Sequence, residues 1–322
     1  MRAIRLKRHG GPEALELEEL PTPAPGPGQL LVRLEAAGIN FIDVYQRKGL
    51  YKVPLPYGMG LEGAGVVEAC GPGVADVDSG TRVAWTNVAG SYASHAVVPA
   101  AQAVAVPPSV DGRTAAAAML QGLTAHYLSH STYPLKAGDA CLVHAGAGGV
   151  GLLLIQMARQ RGARVLATVS TEVKAQLARE AGAHATILYT QEDFAAAVRK
   201  LTDGAGVQVV YDSVGKDTFE KSLECLAPRG MLVLFGQSSG PVGPFDPQVL
   251  NAKGSLFLTR PSLGHYVARR EELLTRARDL YGAIEAGTLR VRVGATFPLA
   301  EAGRAHGELE GRRTTGKLLL IP

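Results

Sequence analysis

An apolar run, Cys141-Leu142-Val143-His144-Ala145, leads directly into Gly146-Ala147-Gly148-Gly149-Val150-Gly151 and then into Leu152-Leu153-Leu154-Ile155-Gln156-Met157-Ala158. The spacing is G-x-G-x-x-G, set between a strand-like segment and a helix-like one. Gly146 is expected to allow a tight turn, Gly148 to let the backbone approach a pyrophosphate, and Gly151 to let helix and strand pack closely. Gly149 and Val150 lie inside the same loop, where free N–H groups and the helix dipole favour an anion. Taken alone, the motif is equally a plain strand-to-helix turn.

Here the motif opens a series. Strand-length apolar runs recur at 164–169, 185–188, 207–211, 231–235 and 255–258, alternating with helical stretches at 150–160, 174–181, 194–201 and 218–226. Strands of a parallel sheet covered on both faces read this way, because no polar alternation remains. A doubly wound α/β domain that binds a dinucleotide is the expectation.

The segment before it reads differently. Turn signals crowd Gly10-Gly11-Pro12, the stretch from Pro21 to Gly28, Gly58-Met59-Gly60, Gly71-Pro72-Gly73 and Pro107-Pro108, with short β-prone runs at 30–34, 65–69 and 81–85 between them. A compact, mostly antiparallel β domain follows from that punctuation. Beyond about residue 264 the pattern gives one long amphipathic helix over 266–286 and strands near 289–293 and 317–321. The last strand has no evident parallel partner, so the C-terminal segment is expected to return to the first domain. The expected boundaries are 1–123, 124–264 and 265–322.

Composition narrows the function. The 322 residues include 39 glycines, and Lys plus Arg exceed Asp plus Glu by only 33 to 29, for a net charge of +4. Such a balance gives no basis for a polyanionic partner, and 6% aromatic residues is poor provision for stacking on nucleic acid. The three cysteines, Cys70, Cys141 and Cys225, form no C-x-x-C pair, which argues against a disulfide framework or a cysteine-rich zinc site. No signal-peptide core and no apolar run long enough to span a bilayer are present. A soluble, cytoplasmic protein without a membrane anchor is expected.

Which dinucleotide binds depends on the end of the second strand of the series, where NAD-binding proteins place an acid about 20 residues after the motif. This chain reads Leu166-Ala167-Thr168-Val169-Ser170-Thr171-Glu172-Val173-Lys174. Hydroxyls at Thr168, Ser170 and Thr171 with the ammonium of Lys174 suit a 2′-phosphate, and the reading favours NADPH. Helix capping by Ser170 or Thr171, with Lys174 on the solvated face, is the competing explanation, and Glu172, an acid only slightly displaced, could still reach a ribose and so stands against the NADPH reading.

From end to end the residues resemble the zinc-independent quinone oxidoreductase branch of the medium-chain dehydrogenase/reductase superfamily, the group that includes ζ-crystallin. The resemblance is carried by Gly38-Ile39-Asn40-Phe41-Ile42-Asp43-Val44-Tyr45, Gly63-Ala64-Gly65-Val66-Val67, the glycine loop, Val210-Tyr211-Asp212-Ser213-Val214-Gly215, Gly230-Met231-Leu232-Val233-Leu234-Phe235-Gly236 and Gly254-Ser255-Leu256-Phe257-Leu258-Thr259-Arg260-Pro261. It implies a Rossmann domain inserted into a mostly β GroES-like domain, with the cofactor in the cleft between them. It also implies a homodimer joined through the last cofactor-domain strand. Where zinc-dependent relatives carry a cysteine and a Gly-His-Glu ligand, this chain has Asn40 and Gly60-Leu61-Glu62, so no catalytic metal is expected.

The same resemblance assigns residues. Asn40, Asp43, Tyr45 and Tyr51 fall in the segment beside the nicotinamide, with Asn40 and Tyr45 to orient a carboxamide or quinone oxygen and Tyr51 as an aromatic wall; for the tyrosines ordinary packing competes. Thr124 is placed near the nicotinamide and Tyr189 near the adenine. Ser213 runs along the cofactor, and Phe235, Gly236, Gln237, Ser238 and Ser239 line the nicotinamide and its ribose. Arg312 reaches the cofactor from the returned segment, unless it is simply a solvated basic turn. For His144 a buried, hydrogen-bonded ring is favoured over a proton donor. His95, His126 and His265 follow no metal-ligand spacing.

The implied activity is NADPH-dependent reduction of quinones without a metal. Reduction of an activated C=C bond, in an enone or alkenal, is the nearest alternative and needs a proton donor, for which Tyr45 and Tyr51 are the candidates. From another class, the chain could be a non-catalytic NADPH-binding structural or RNA-binding protein, against which the weak charge and few aromatics argue.

Overall fold

The computed structural model describes all residues from 1 to 322. They divide into two compact units, one formed by Met1–Leu123 with Val267–Pro322 and the other by Thr124–Tyr266.

The first unit begins with β1 (Arg2–Leu6), β2 (Leu15–Glu19) and β3 (Gln29–Ile39). Pro21, Pro23, Pro25 and Pro27 lack the amide a ladder needs, and no strand forms there. Then come α1 (Phe41–Arg47), β4 (Tyr57–Gly58), β5 (Glu62–Cys70), β6 (Arg82–Thr86), β7 (His95–Pro99), β8 (Val104–Ala105) and α2 (Gly112–Tyr127), whose last turn belongs to the second unit.

In the second unit the chain runs through β9 (Ala140–Val143), α3 (Gly149–Gln160), β10 (Arg164–Val169), α4 (Glu172–Glu180), β11 (Ala185–Leu188), α5 (Phe194–Leu201) and β12 (Val207–Asp212). It continues with α6 (Phe219–Glu224), β13 (Leu226–Leu234), α7 (Gln248–Ala252), β14 (Phe257–Thr259) and α8 (Leu263–Tyr266). The six strands pair in parallel in the order β11-β10-β9-β12-β13-β14, which is the dinucleotide-binding order 3-2-1-4-5-6. The order reverses between β9 and β12, and ligands of such sheets bind at that switch, beyond the C-terminal strand ends. Leu142, Leu166, Val210 and Leu232 from four neighbouring strands are fully buried in its core.

The chain then returns to the first unit as α9 (Arg270–Glu285), β15 (Val293–Pro298), α10 (Ala302–Glu310) and β16 (Lys317–Ile321). Seven strands make its main sheet, β15-β16-β3-β5-β6-β8 with β7 also on β3. Trp85, the single tryptophan, is fully buried there and donates to Ser91 Oγ at 2.9 Å, so its polar edge is satisfied while its ring fills the core.

The chemistry-bearing architecture is thus the mixed α/β one expected, an α/β unit inserted into a mostly antiparallel β unit. Three local expectations fail. The helix expected over 266–286 begins only at Arg270, because Tyr266 ends α8, 267–269 leave the helical conformation and α9 starts at its own acidic first turn, Glu271 and Glu272. The strand near 289–293 begins only at Val293, where pairing with β16 starts, and it gives β16 the parallel partner that was not foreseen. β3 runs to Ile39 because Ala36 and Ala37 pair with β5 and Ala37 to Ile39 pair with β16, partners invisible to local pattern.

Candidate active site

The glycine loop is built as a close-packed cradle. Strand β9 stops at Val143, and it is Ala145, not a glycine, that turns the chain at φ +52°. Gly146 lies against β10, where an added Cβ would sit 2.8 Å from Ala167 Cβ. At Gly151 a Cβ would come within 2.4 Å of the Ala145 carbonyl oxygen, so α3 can approach the strand end only without a side chain. Gly148 is the N-cap of α3, and a Cβ there would be 3.1 Å from the same oxygen. Gly148, Gly149 and Val150 are half-buried at the helix start, which leaves main-chain N–H groups for an anion.

Beside this loop, the end of β10 carries Ser170, half-buried, and Thr171, whose Oγ1 caps α4 by accepting from Lys174 N at 3.3 Å. The capping role is therefore real for Thr171. Glu172 is paired with Arg179 on the next two turns of α4. Tyr189 is exposed, and its N–H reaches Val169 O at 3.2 Å, which keeps it next to the β10 end. Thr168 is buried with its hydroxyl 2.8 Å from His144 Nδ1, so that hydroxyl is engaged inside the unit and is not on offer to a phosphate as Ser170 is. Thr124 is a buried residue of α2.

The loops after β12 and β13 are stitched together. Ser238 N donates to Ser213 O at 3.1 Å, Ser239 N to Val214 O at 2.9 Å, and Phe235 N and Gly236 N to Asp212 O at 2.8 and 3.2 Å. Ser213 and Phe235 through Ser239 thus form one half-buried surface at the C-terminal edge of the sheet.

In the first unit, Asn40 ends β3 and precedes α1. Its amide is fully engaged: Nδ2 donates to Glu62 Oε2 at 2.8 Å and Gly38 O at 3.4 Å, while Oδ1 accepts from Lys317 Nζ at 2.7 Å and Gln121 Nε2 at 3.4 Å. A flip would oppose ammonium to amide N–H and carboxylate to carbonyl, so the orientation is fixed. Only the two long contacts could yield to an incoming group. Lys317 also pairs with Glu62, whose Oε1 accepts Leu120 N at 2.6 Å. A Cβ on Gly38 would meet Glu62 Oε2 at 2.2 Å and Lys317 Cε at 2.7 Å, so only glycine leaves room for this pair. Burial draws the Lys317 ammonium below its ordinary pKa, and Glu62 works against that shift.

Asp43 is fully buried, and its Oδ2 accepts Asn40 N and the Tyr92 hydroxyl, each at 2.8 Å. Tyr92 also meets His306 Nε2 at 3.1 Å, and His306 Nδ1 lies 3.2 Å from Arg47, which pairs with Glu310. Burial raises the Asp43 carboxyl to about 7 and lowers His306 to about 3. The family resemblance placed Asp43 beside the nicotinamide; in the structure its Oδ2 is taken by internal partners. Tyr45, buried, and Tyr51, more open, meet edge to face with centroids 5.2 Å apart. Arg312 sits in the turn after α10 at φ +55°.

Sequence reasoning missed Lys317, Glu62, Tyr92 and His306. Each comes from a different element, and no local spacing joins them. The donor set for a metal is not assembled here either, since no three His, Cys, Asp or Glu side chains converge. No helix is long and apolar enough to cross a membrane.

Comparison with known proteins agrees with this geometry. Residues 26–108 match the alcohol dehydrogenase GroES-like domain and residues 149–276 the zinc-binding dehydrogenase family. A quinone oxidoreductase of Pseudomonas aeruginosa is 49% identical over 321 residues, 99% of each chain. A 2-haloacrylate reductase of a Burkholderia species is 45% identical, covering 99% of this chain and 98% of its own. The crystal structure of Escherichia coli quinone oxidoreductase complexed with NADPH superposes with a TM-score of 0.98 at 44% identity over 100% of both chains.

Proposed function

The chain belongs to the quinone oxidoreductase family of the medium-chain dehydrogenase/reductase superfamily, and on that premise we propose that it is an NADPH-dependent reductase of quinones. The glycine cradle at the β9–α3 junction carries the reading, because its close-packed backbone leaves a helix N-terminus open to a pyrophosphate. Gly146, Gly148, Gly149, Val150 and Gly151 would hold the pyrophosphate. Ser170 and Lys174 would take the 2′-phosphate, with Thr171 fixing the start of α4 beneath them and Tyr189 beside the adenine. In the second unit Thr124, Ser213, Phe235, Gly236, Ser238 and Ser239 would hold the nicotinamide half; in the first unit Asn40, Tyr45 and Arg312 are the candidates for contact with substrate or cofactor.

Bound NADPH supplies the reducing equivalents. The protein's share is orientation and exclusion of water, because a quinone asks for close stacking more than for a strong protein acid. Tyr45 and Tyr51 supply aromatic surface for that stacking, and the fixed Asn40 amide sets the polar edge. Following NADPH oxidation with 1,4-benzoquinone and larger quinones tests the proposal. Rates no higher than without protein, across the series, would sink it.

A second reading is reduction of an activated C=C bond, favoured by the 2-haloacrylate reductase relative. Tyr45 or Tyr51 would then deliver the proton to the second carbon. Comparing 2-alkenals and 2-haloacrylates with quinones as acceptors separates the two readings. Pairing of β14 with a second copy of the chain is part of the same proposal: β14 pairs only with β13, and its Phe257 is 56% exposed. Sedimentation of a monomer at micromolar concentration would refute it.

A further inference from the structure

Thr168, His144, Ser222 and Asp212 form a continuous hydrogen-bonded chain inside the second unit. Thr168 Oγ1 is 2.8 Å from His144 Nδ1, His144 Nε2 is 3.0 Å from Ser222 Oγ, and Ser222 Oγ is 3.0 Å from Asp212 Oδ2. All four side chains are at least nine-tenths buried. They cross the sheet at the C-terminal ends of β10, β9 and β12, with Ser222 added from α6.

The donors can be assigned. Asp212 Oδ2 also accepts the Thr218 hydroxyl at 2.7 Å, and Oδ1 accepts Val214 N and Gly215 N at 2.8 and 3.0 Å. With Ser222 that makes four donors, so the carboxylate acts only as an acceptor. The single proton of Ser222 is spent on Asp212, so the hydrogen between His144 and Ser222 belongs to Nε2. In the neutral ring Nδ1 is then a bare acceptor, and the Thr168 hydroxyl donates to it. His144 is neutral in one tautomer, and burial, which lowers its pKa despite Asp212, acts the same way.

Both ends of this hydrogen-bonded chain reach backbone that the proposed function assigns to the nucleotide. Thr168 O accepts Gly146 N at 3.0 Å, and Asp212 holds the 213–215 turn by two amides and the Phe235–Gly236 turn through its own carbonyl. We infer that His144 is a positioning residue for the cofactor, a strut whose one acceptor and one donor fix the Gly146 turn relative to the 213–215 turn. The inference rests on the reading of this unit as an NADPH site.

The test compares His144→Leu, which removes both polar functions, with His144→Gln, which keeps one acceptor and one donor. Removing the pair leaves buried partners unsatisfied, so His144→Leu is expected to raise the NADPH Kd, read by nicotinamide fluorescence, about tenfold or more. KM for NADPH should rise in step, with kcat at saturating NADPH little changed. In the nucleotide-free protein the amides of Gly146, Val214 and Gly215 should exchange hydrogen faster. His144→Gln should stay near wild type in Kd and exchange. Ser222→Ala, which keeps the ring but cuts its link to Asp212, should move both readouts in the direction of His144→Leu and serves if that variant fails to fold. Unchanged Kd and exchange in His144→Leu or Ser222→Ala would overturn the inference, as would a His144→Gln variant as impaired as His144→Leu. Wild-type protein that does not bind NADPH at all would instead remove the proposed function, and the exchange data would still judge the strut.

Discussion

Lys317 Nζ donates to Asn40 Oδ1 at 2.7 Å, joining the last strand of the chain to the end of β3 across 277 residues. The same ammonium pairs with Glu62 on β5, so one buried cation holds three segments of the first unit at the residue proposed to face the substrate. Asn40 is thereby held by charge as well as by packing, and the C-terminal return of the chain completes the site.

Replacing Lys317 by methionine should strand the Glu62 carboxylate in the interior. Breaking one side of a buried pair costs about 3–5 kcal/mol, whereas an apolar or neutral replacement of both sides is far milder. Lys317→Met is expected to lower the urea midpoint sharply, read by the fluorescence of Trp85, the only tryptophan. Glu62→Gln added to it should restore much of the loss. A double variant no more stable than the single one would show that Glu62 is not the partner that matters.

The cradle predicts different outcomes for two alanines. Gly151→Ala puts a methyl 2.4 Å from the Ala145 oxygen, which backbone alone can relieve, so α3 must shift and stability should fall by about 1–3 kcal/mol. Gly148→Ala needs only a few tenths of an ångström at 3.1 Å, yet its methyl stands where a pyrophosphate would approach. Near-native melting with a clearly raised NADPH Kd is expected for Gly148→Ala. Wild-type affinity in that variant would move the phosphate site away from this loop.

Cofactor choice should depend on Lys174. A hydrogen bond to a charged group contributes about 1.5–3 kcal/mol, or on the order of ten- to a hundredfold in Kd, and only NADPH carries the 2′-phosphate. Lys174→Ala should therefore weaken NADPH by that factor and leave NADH nearly unchanged. Equal losses for both nucleotides would show that Lys174 supports α4 and not the phosphate.

What was readable in the sequence was whatever repeats locally. The motif from Gly146 to Gly151 and the apolar runs of β10 and β11 have short-range signatures, and the parallel sheet follows from them. The capping of α4 by Thr171 could also be read, as one of two alternatives. The polar interior could not. Lys317 lies in an apolar strand pattern, Lys317-Leu318-Leu319-Leu320-Ile321, where a lysine reads as a solvent-facing strand end, and only pairing with β3 turns it inward. Tyr92 meets Asp43 from 49 residues away and His306 meets Tyr92 from 214, distances at which no periodicity operates. The break before α9 failed for the converse reason: a good helical pattern persisted across 267–269 although the chain there changes from one unit to the other.

Asp43 and His306, both bonded to Tyr92, should tilt the stability of the first unit in opposite directions with pH. Burial raises Asp43 from 3.8 to about 7, so between those values the folded chain keeps a proton the unfolded chain has lost. Its contribution is full below pH 3.8 and is lost as pH rises to 7, at about 1.4 kcal/mol per pH unit. His306 falls from 6.5 to about 3, so its neutral ring favours the folded state above pH 6.5 and that advantage is lost as pH drops toward 3. Between about pH 4 and 6.5 the two slopes oppose and the wild-type urea midpoint should be comparatively flat. Asp43→Asn removes the falling slope, so its midpoint should gain on wild type steadily as pH is raised from 4 to 7. His306→Gln should do the reverse and gain as pH is lowered from 6.5. Trp85 fluorescence in urea at stepped pH measures both, and an Asp43→Asn curve that runs parallel to wild type from pH 4 to 7 would mean that the carboxyl is already ionised in the folded protein throughout that range.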